Sequence, residues 1–140
     1  MLKTLLLLLQ VTQVTQHYLV MQPLQEAIQY GRFTALAPIL QQRIVLNLEE
    51  PLALAGVMSR EQFIEEFTGR FSALEAEKIE WSSLQAEEDI AVQSLNLILK
   101  KRFSGSRVFY KLILFMQSDT ARRTSEEKVW KLYYLRGLKI

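Results

Sequence analysis

Residues 90–117 constrain this chain more than any other stretch. Between Arg107 and Gln117, Val108, Tyr110, Leu112, Leu114 and Met116 recur at period two, which puts them on one face of a strand. Phe109, Ile113 and Phe115 fall on the opposite face, interrupted only by Lys111. Ile90 to Arg102 behaves the same way, with Ile90, Val92 and Ile98 on one face and Leu95, Leu97 and Leu99 on the other. An antiparallel strand with one wet face alternates apolar with polar residues. These two strands do not, so a sheet built on them has two apolar faces and each needs a cover. Helices from the N-terminal half suit one face. A second subunit, or an N-terminal segment folded back, suits the other.

The neighbouring segments extend this pair into a meander over residues 76–138. Ala76 to Gln85 reads as a strand with Ile79 and Trp81 on one side, followed by the acidic turn Glu87-Glu88-Asp89. The turn Phe103-Ser104-Gly105-Ser106 has the glycine a hairpin needs. A polar loop from Ser118 to Glu126 precedes a last strand, Lys128 to Leu138.

Upstream the period changes. Tyr18, Met21, Leu24 and Ile28 recur at spacings of three and four, so 18–30 reads as a helix stopped by Gly31. Thr34 caps a brief helix reaching Gln41, made irregular by Pro38. Residues 43–49 alternate as a strand, and 51–57 read as an apolar loop between Pro51 and Gly56. Ser59 opens a further helix, with Gln62 placed to reach back to it. Phe63, Phe67, Phe71 and Leu74 form one stripe on that helix. Core packing explains such a stripe, and so does the wall of an apolar pocket.

Length and charge bound the rest. A chain of 140 residues is most simply one domain. Without Cys it has no disulfide, thiolate metal site or cysteine nucleophile. Residues 1–99 hold six Lys and Arg against twelve Asp and Glu, whereas 100–140 hold eleven against three. The start, Met1-Leu2-Lys3-Thr4 and then Leu5 to Leu9, looks like a secretory signal but lacks an Ala-x-Ala cleavage site. It divides the chain into a signal-like apolar segment, 1–16, and a single domain, 17–140. Export to the periplasm follows if it acts as a signal; otherwise the domain is cytoplasmic. The apolar run is too short for a transmembrane span.

The order of elements resembles the nuclear transport factor 2-like superfamily, which includes ketosteroid isomerase and scytalone dehydratase. Three segments carry the likeness: Ala27-Ile28-Gln29-Tyr30-Gly31-Arg32-Phe33-Thr34-Ala35-Leu36, Ser59-Arg60-Glu61-Gln62-Phe63, and Val129-Trp130-Lys131-Leu132-Tyr133-Tyr134-Leu135. It spans about residues 18–138 and is closest in layout to short exported bacterial domains of unknown function. The resemblance implies an α+β fold: N-terminal helices packed on a strongly curved, mostly antiparallel sheet that forms a cone (also described as cystatin-like). It also implies a homodimer through the convex sheet face.

Enzymes of that superfamily place Asp, His or Tyr inside the cone. Here His17 lies upstream of the fold, Asp89 and Asp119 fall at turns, and Glu80 alternates away from Ile79 and Trp81. No acid–base set is recognisable, so the expectation is a non-catalytic domain that binds a small apolar ligand or a protein partner. The pocket candidates are Phe63, Phe67, Phe71, Trp81, Tyr110, Trp130 and Tyr134, with Ser94 and Asn96 adding hydrogen bonds. An isomerase- or dehydratase-like enzyme is one alternative. Another is an anion- or nucleic-acid-binding adaptor using the basic hairpin Lys100, Lys101, Arg102 and Arg107, beside Phe103 and Phe109. Neither a metal site nor a cofactor is expected.

Overall fold

The computed structural model describes residues 21–118 and 130–140. Residues 21–30 form helix α1, and a 3₁₀ helix spans Phe33–Ile39. Seven strands and one further helix follow: β1 (Leu40–Leu48), β2 (Leu54–Ser59), α2 (Arg60–Phe71), β3 (Leu74–Trp81), β4 (Gln85–Glu87), β5 (Ile90–Lys101), β6 (Arg107–Ser118) and β7 (Trp130–Lys139). The strands form one curved, unclosed sheet in the order β2-β1-β7-β6-β5-β3, with β4 paired to β5. Every pairing is antiparallel except β1 with β7. The expected α+β architecture, helices on a mostly antiparallel curved sheet, is therefore present.

Several local expectations change. The stretch 51–57, read as a loop, holds most of strand β2 (Leu54–Ser59), because Leu54 and Met58 pack inward while Val57 points out. Gly56 breaks the alternation that would have announced it. The Thr34 helix is 3₁₀ and starts at Phe33, without a side-chain cap. The strand expected over 76–85 is two strands, and Gln85–Glu87 turns back to pair with Ile90–Val92. The start of the N-terminal segment, His17 and Asp119 lie outside the described residues.

The helix-covered face carries the core. Along β6, Val108, Tyr110, Leu112, Leu114 and Met116 are buried, and their partners on β5 are Leu99, Leu97, Leu95, Gln93 and Ala91. Leu132 and Leu135 of β7 and Ile44, Leu46 and Leu48 of β1 continue the same face. A bulge between Leu132 and Leu135 keeps both leucines inward although they are three residues apart. Helix α2 starts as its sequence predicts: Ser59 Oγ accepts from the Gln62 N–H at 3.2 Å. Its stripe is core. The rings of Phe63 and Phe67 lie 4.3 Å apart, and Phe33 packs on Phe67 at 5.5 Å and on Phe71 at 5.0 Å. Arg70 fixes the helix to the β1–β2 connection, donating to the carbonyls of Leu52 at 2.9 Å and Ala53 at 3.1 Å.

Candidate functional site

Two surfaces follow from this sheet: the interior under the helices and the outer face, on which no described helix packs. Of the seven pocket candidates, Phe63, Phe67, Phe71, Tyr110 and Trp130 are buried in the core, and Trp81 is half-buried beside it. Trp81 Nε1 donates to Gln25 Oε1 at 2.8 Å, which ties α1 to the edge strand β3. Tyr134 is not with them. It lies on the outer face, its ring 4.9 Å from Phe115 and nearly perpendicular to it, at 72°. The β7 bulge causes this change of side, because it inserts a residue between the two inward leucines.

Tyr110 is the interior hydroxyl. Its Oη donates to the Glu49 carbonyl at 3.0 Å, and burial together with the nearby Glu49 carboxylate pushes its pKa well above the ordinary phenol value. Glu49 is a small hub. Its N–H donates to Gly137 at 3.1 Å, its carbonyl also accepts from the Ala53 N–H, and its Oε2 accepts from the Lys139 N–H. The phenol is thus held protonated in a structural hydrogen bond.

Ser94 and Asn96 do not reach the interior; strand parity puts them on the outer face with Val92 and Ile98. Ser94 instead locks the end of β3, its Oγ 2.7 Å from Ser82 Oγ. Two polar residues of the described sheet are buried on the inward parity, Ser118 at the end of β6 and Gln93, 3% exposed between Ala91 and Leu95. Gln93 Nε2 donates to the Ser82 carbonyl at 2.9 Å, while its Oε1 is buried without a hydrogen-bond partner. The same parity that picks out Leu95, Leu97 and Leu99 could have found it. Glu80 faces out as expected, and Asp89 sits in the β4–β5 turn, where Ser118 Oγ donates to it at 2.7 Å. Among the described residues no group of His, Cys, Asp and Glu is arranged to hold a metal.

The outer face is striped. Register aligns Val57, Val45, Tyr134, Phe115 and Val92 into one apolar row across β2, β1, β7, β6 and β5. Val57 is 64% exposed and Val45 40%. A second, shorter row pairs Ile98 with Phe109. Polar positions lie between the two: Asn96 opposite Lys111, and Arg136 opposite Ile113 and Asn47.

The basic hairpin joins β5 to β6, but its four cations are not equivalent. Arg107 grips Glu77 with two hydrogen bonds, 2.6 Å from Nε to Oε2 and 3.3 Å from Nη2 to Oε1. That hydrogen bonding holds the Glu77 carboxyl below the usual carboxylate range. Lys100 stands opposite Glu75. Lys101 and Arg102 are exposed, and among the described residues neither forms an ion pair.

An open sheet curving around helices on one face has counterparts among solved structures. The chain has the nuclear transport factor 2-like fold. A ketosteroid isomerase-like protein from Erwinia carotovora atroseptica superposes with a TM-score of 0.66 at 14% identity, over 88% of this chain and 92% of that one. A DUF4783 family protein from Bacteroides uniformis gives 0.65 at 9% identity, over 85% and 95%. An NTF2-like protein from Cytophaga hutchinsonii gives 0.60 at 14% identity, over 86% and 93%. No protein-family model and no curated protein matches the sequence. At these identities the nuclear transport factor 2-like likeness is one of fold.

Proposed function

We propose that this domain is a non-catalytic binding module that works as a homodimer through its outer sheet face. The row Val57–Val45–Tyr134–Phe115–Val92 carries the reading. A self-complementary apolar stripe crossing five strands is what an isologous two-fold contact needs, because each copy offers the same surface to the other. Aromatic residues such as Tyr134 and Phe115 are the usual energetic anchors of such contacts. The edge of the interior where Trp81 meets Gln25 is the entry for a small apolar ligand, since it is the one pocket candidate of the helix-covered face that is only half-buried.

Two features favour binding over catalysis. The Tyr110 hydroxyl is committed to the Glu49 carbonyl, and Gln93 cannot exchange a proton near neutrality. The reading is tested by mass. Light scattering on the full chain should give twice the chain mass, and Tyr134→Asp should halve it without changing the circular dichroism spectrum. A wild-type chain that stays monomeric at high concentration overturns the dimer.

A second reading, an isomerase-like enzyme, draws on the inward hydroxyl of Tyr110 and on the likeness to the ketosteroid isomerase-like protein. Catalysed exchange of a ketone α-proton in deuterated water, lost in Tyr110→Phe, would establish it in place of the first.

A further inference from the structure

We propose that the tip of the β5–β6 hairpin is a membrane-contact point that seats Phe103 in the interfacial layer of an anionic lipid bilayer. Phe103 is fully exposed, yet its turn is closed. The Lys101 N–H donates to Ser106 O at 2.8 Å, the Gly105 N–H donates to Lys101 O at 2.8 Å, and the Ser104 and Ser106 hydroxyls lie 2.8 Å apart. Gly105 makes this possible by taking φ +72°, where a side chain would be strained. A tight turn therefore holds an aromatic ring in water, where it gains nothing for the fold.

Two exposed cations, Lys101 and Arg102, immediately precede the ring in the chain. Arg102 is anchored at the collar of the hairpin, its N–H on Ala73 O at 3.0 Å and its Nε on Leu74 O at 3.2 Å. Lys101 precedes it in the chain, and among the described residues these two hairpin cations form no ion pair with a carboxylate. At the same end of the sheet, Phe109 is 56% and Ile140 72% exposed, joined by the Ile140 N–H on Phe109 O at 2.8 Å.

The order of these groups selects the partner. With a fully exposed ring in the turn and two cations just before it in the chain, the tip suits a bilayer, whose apolar boundary lies beneath a layer of phosphates. Single-stranded nucleic acid asks for a groove in which rings and cations alternate beside successive nucleotides. Here the turn itself carries one ring, Phe103, held in a closed hairpin rather than along a groove. Among the described residues no helix is long and apolar enough to cross a membrane. The contact rests on the hairpin end of the sheet and does not use the Val57–Val45–Tyr134–Phe115–Val92 row.

The test is co-sedimentation of the full chain with vesicles of equal parts phosphatidylglycerol and phosphatidylcholine at low salt, against pure phosphatidylcholine. The chain should pellet with the anionic vesicles only and be released by high salt. Each of Lys101→Gln and Arg102→Gln should weaken binding by about fivefold, the effect of one cation near an anionic surface. Phe103→Ser should weaken it several-fold, and Phe103→Trp should restore it, with added tryptophan emission that shifts to the blue on vesicles. Circular dichroism checks that the exposed variants fold. Absence of pelleting with anionic vesicles overturns the proposal. So does wild-type binding by Phe103→Ser, or a preference for an oligothymidine competitor over vesicles.

Discussion

The phenol of Tyr110 occupies the space that a side chain at Gly137 would need. A Cβ built on Gly137 would fall 2.6 Å from Tyr110 Cζ and 2.8 Å from Cε1, closer than such atoms approach. Gly137 faces Leu112 across the β6–β7 ladder, and the ring lies over it to reach the Glu49 carbonyl. Gly137→Ala should therefore destabilise the fold by about 1–3 kcal/mol, the usual cost of overpacking a core. Chemical denaturation measures it. Combined with Tyr110→Phe, which removes the outermost clashing atom, the losses should be non-additive, because the two residues share one space.

The same ring sets an alkaline limit. A phenol whose folded pKa lies above its unfolded value of about 10 contributes stability that is fully present below that value. The contribution is lost as pH rises toward the folded pKa, because the unfolded chain releases the proton first. Stability should fall above about pH 10, and part of the tyrosinate absorbance should appear together with unfolding rather than before it. Tyr110→Phe should flatten the pH dependence in this window while lowering stability at neutral pH by about 1 kcal/mol for the lost hydrogen bond.

At the start of α2, Ser59→Ala removes the acceptor for the Gln62 N–H. A loss of about 1 kcal/mol is expected, and Ser59→Asp should retain most of the stability, since it supplies both an acceptor and a favourable charge at the helix N-terminus. Thermal denaturation of the three proteins checks the order.

On the outer face, Phe115→Ser and Tyr134→Asp should each weaken self-association by at least about 30-fold, as expected for anchor residues worth 2 kcal/mol or more. Val57→Thr, at the end of the row on the edge strand, should do much less. Sedimentation equilibrium across a concentration series distinguishes these outcomes. Equal effects from all three would deny the aromatic pair its central role.

Much of this architecture can be read from period-two and period-3.6 patterns alone. Both faces of β5 and β6, the Ser59 cap and the Phe63–Phe67–Phe71 stripe lie where their spacing puts them. What escaped the patterns was decided by backbone irregularity. Gly56 hid β2 by leaving one inward position without a side chain, and the β7 bulge moved Tyr134 across the sheet. Gln93 escaped for another reason. A polar residue at an inward position reads as an exception, although parity alone assigned it to the core. The pairing of β1 with β7 has no local signature at all, since it joins residues far apart in the chain.

That parallel pairing governs the order in which the domain can be completed. During synthesis β1 leaves the ribosome ~90 residues ahead of β7, a wait of about 5–20 seconds at ordinary elongation rates. Until β7 arrives, β1 and β2 form only a two-stranded ribbon, which is marginal in water without further strands or a packed helix. Helix α2, tied by Arg70 to the turn between them, shelters that ribbon together with the helices that precede β1, whose buried residues share its core. The last strand then closes the sheet by entering between β1 and β6, so truncation before Trp130 would leave two separated half-sheets, with an open edge on each.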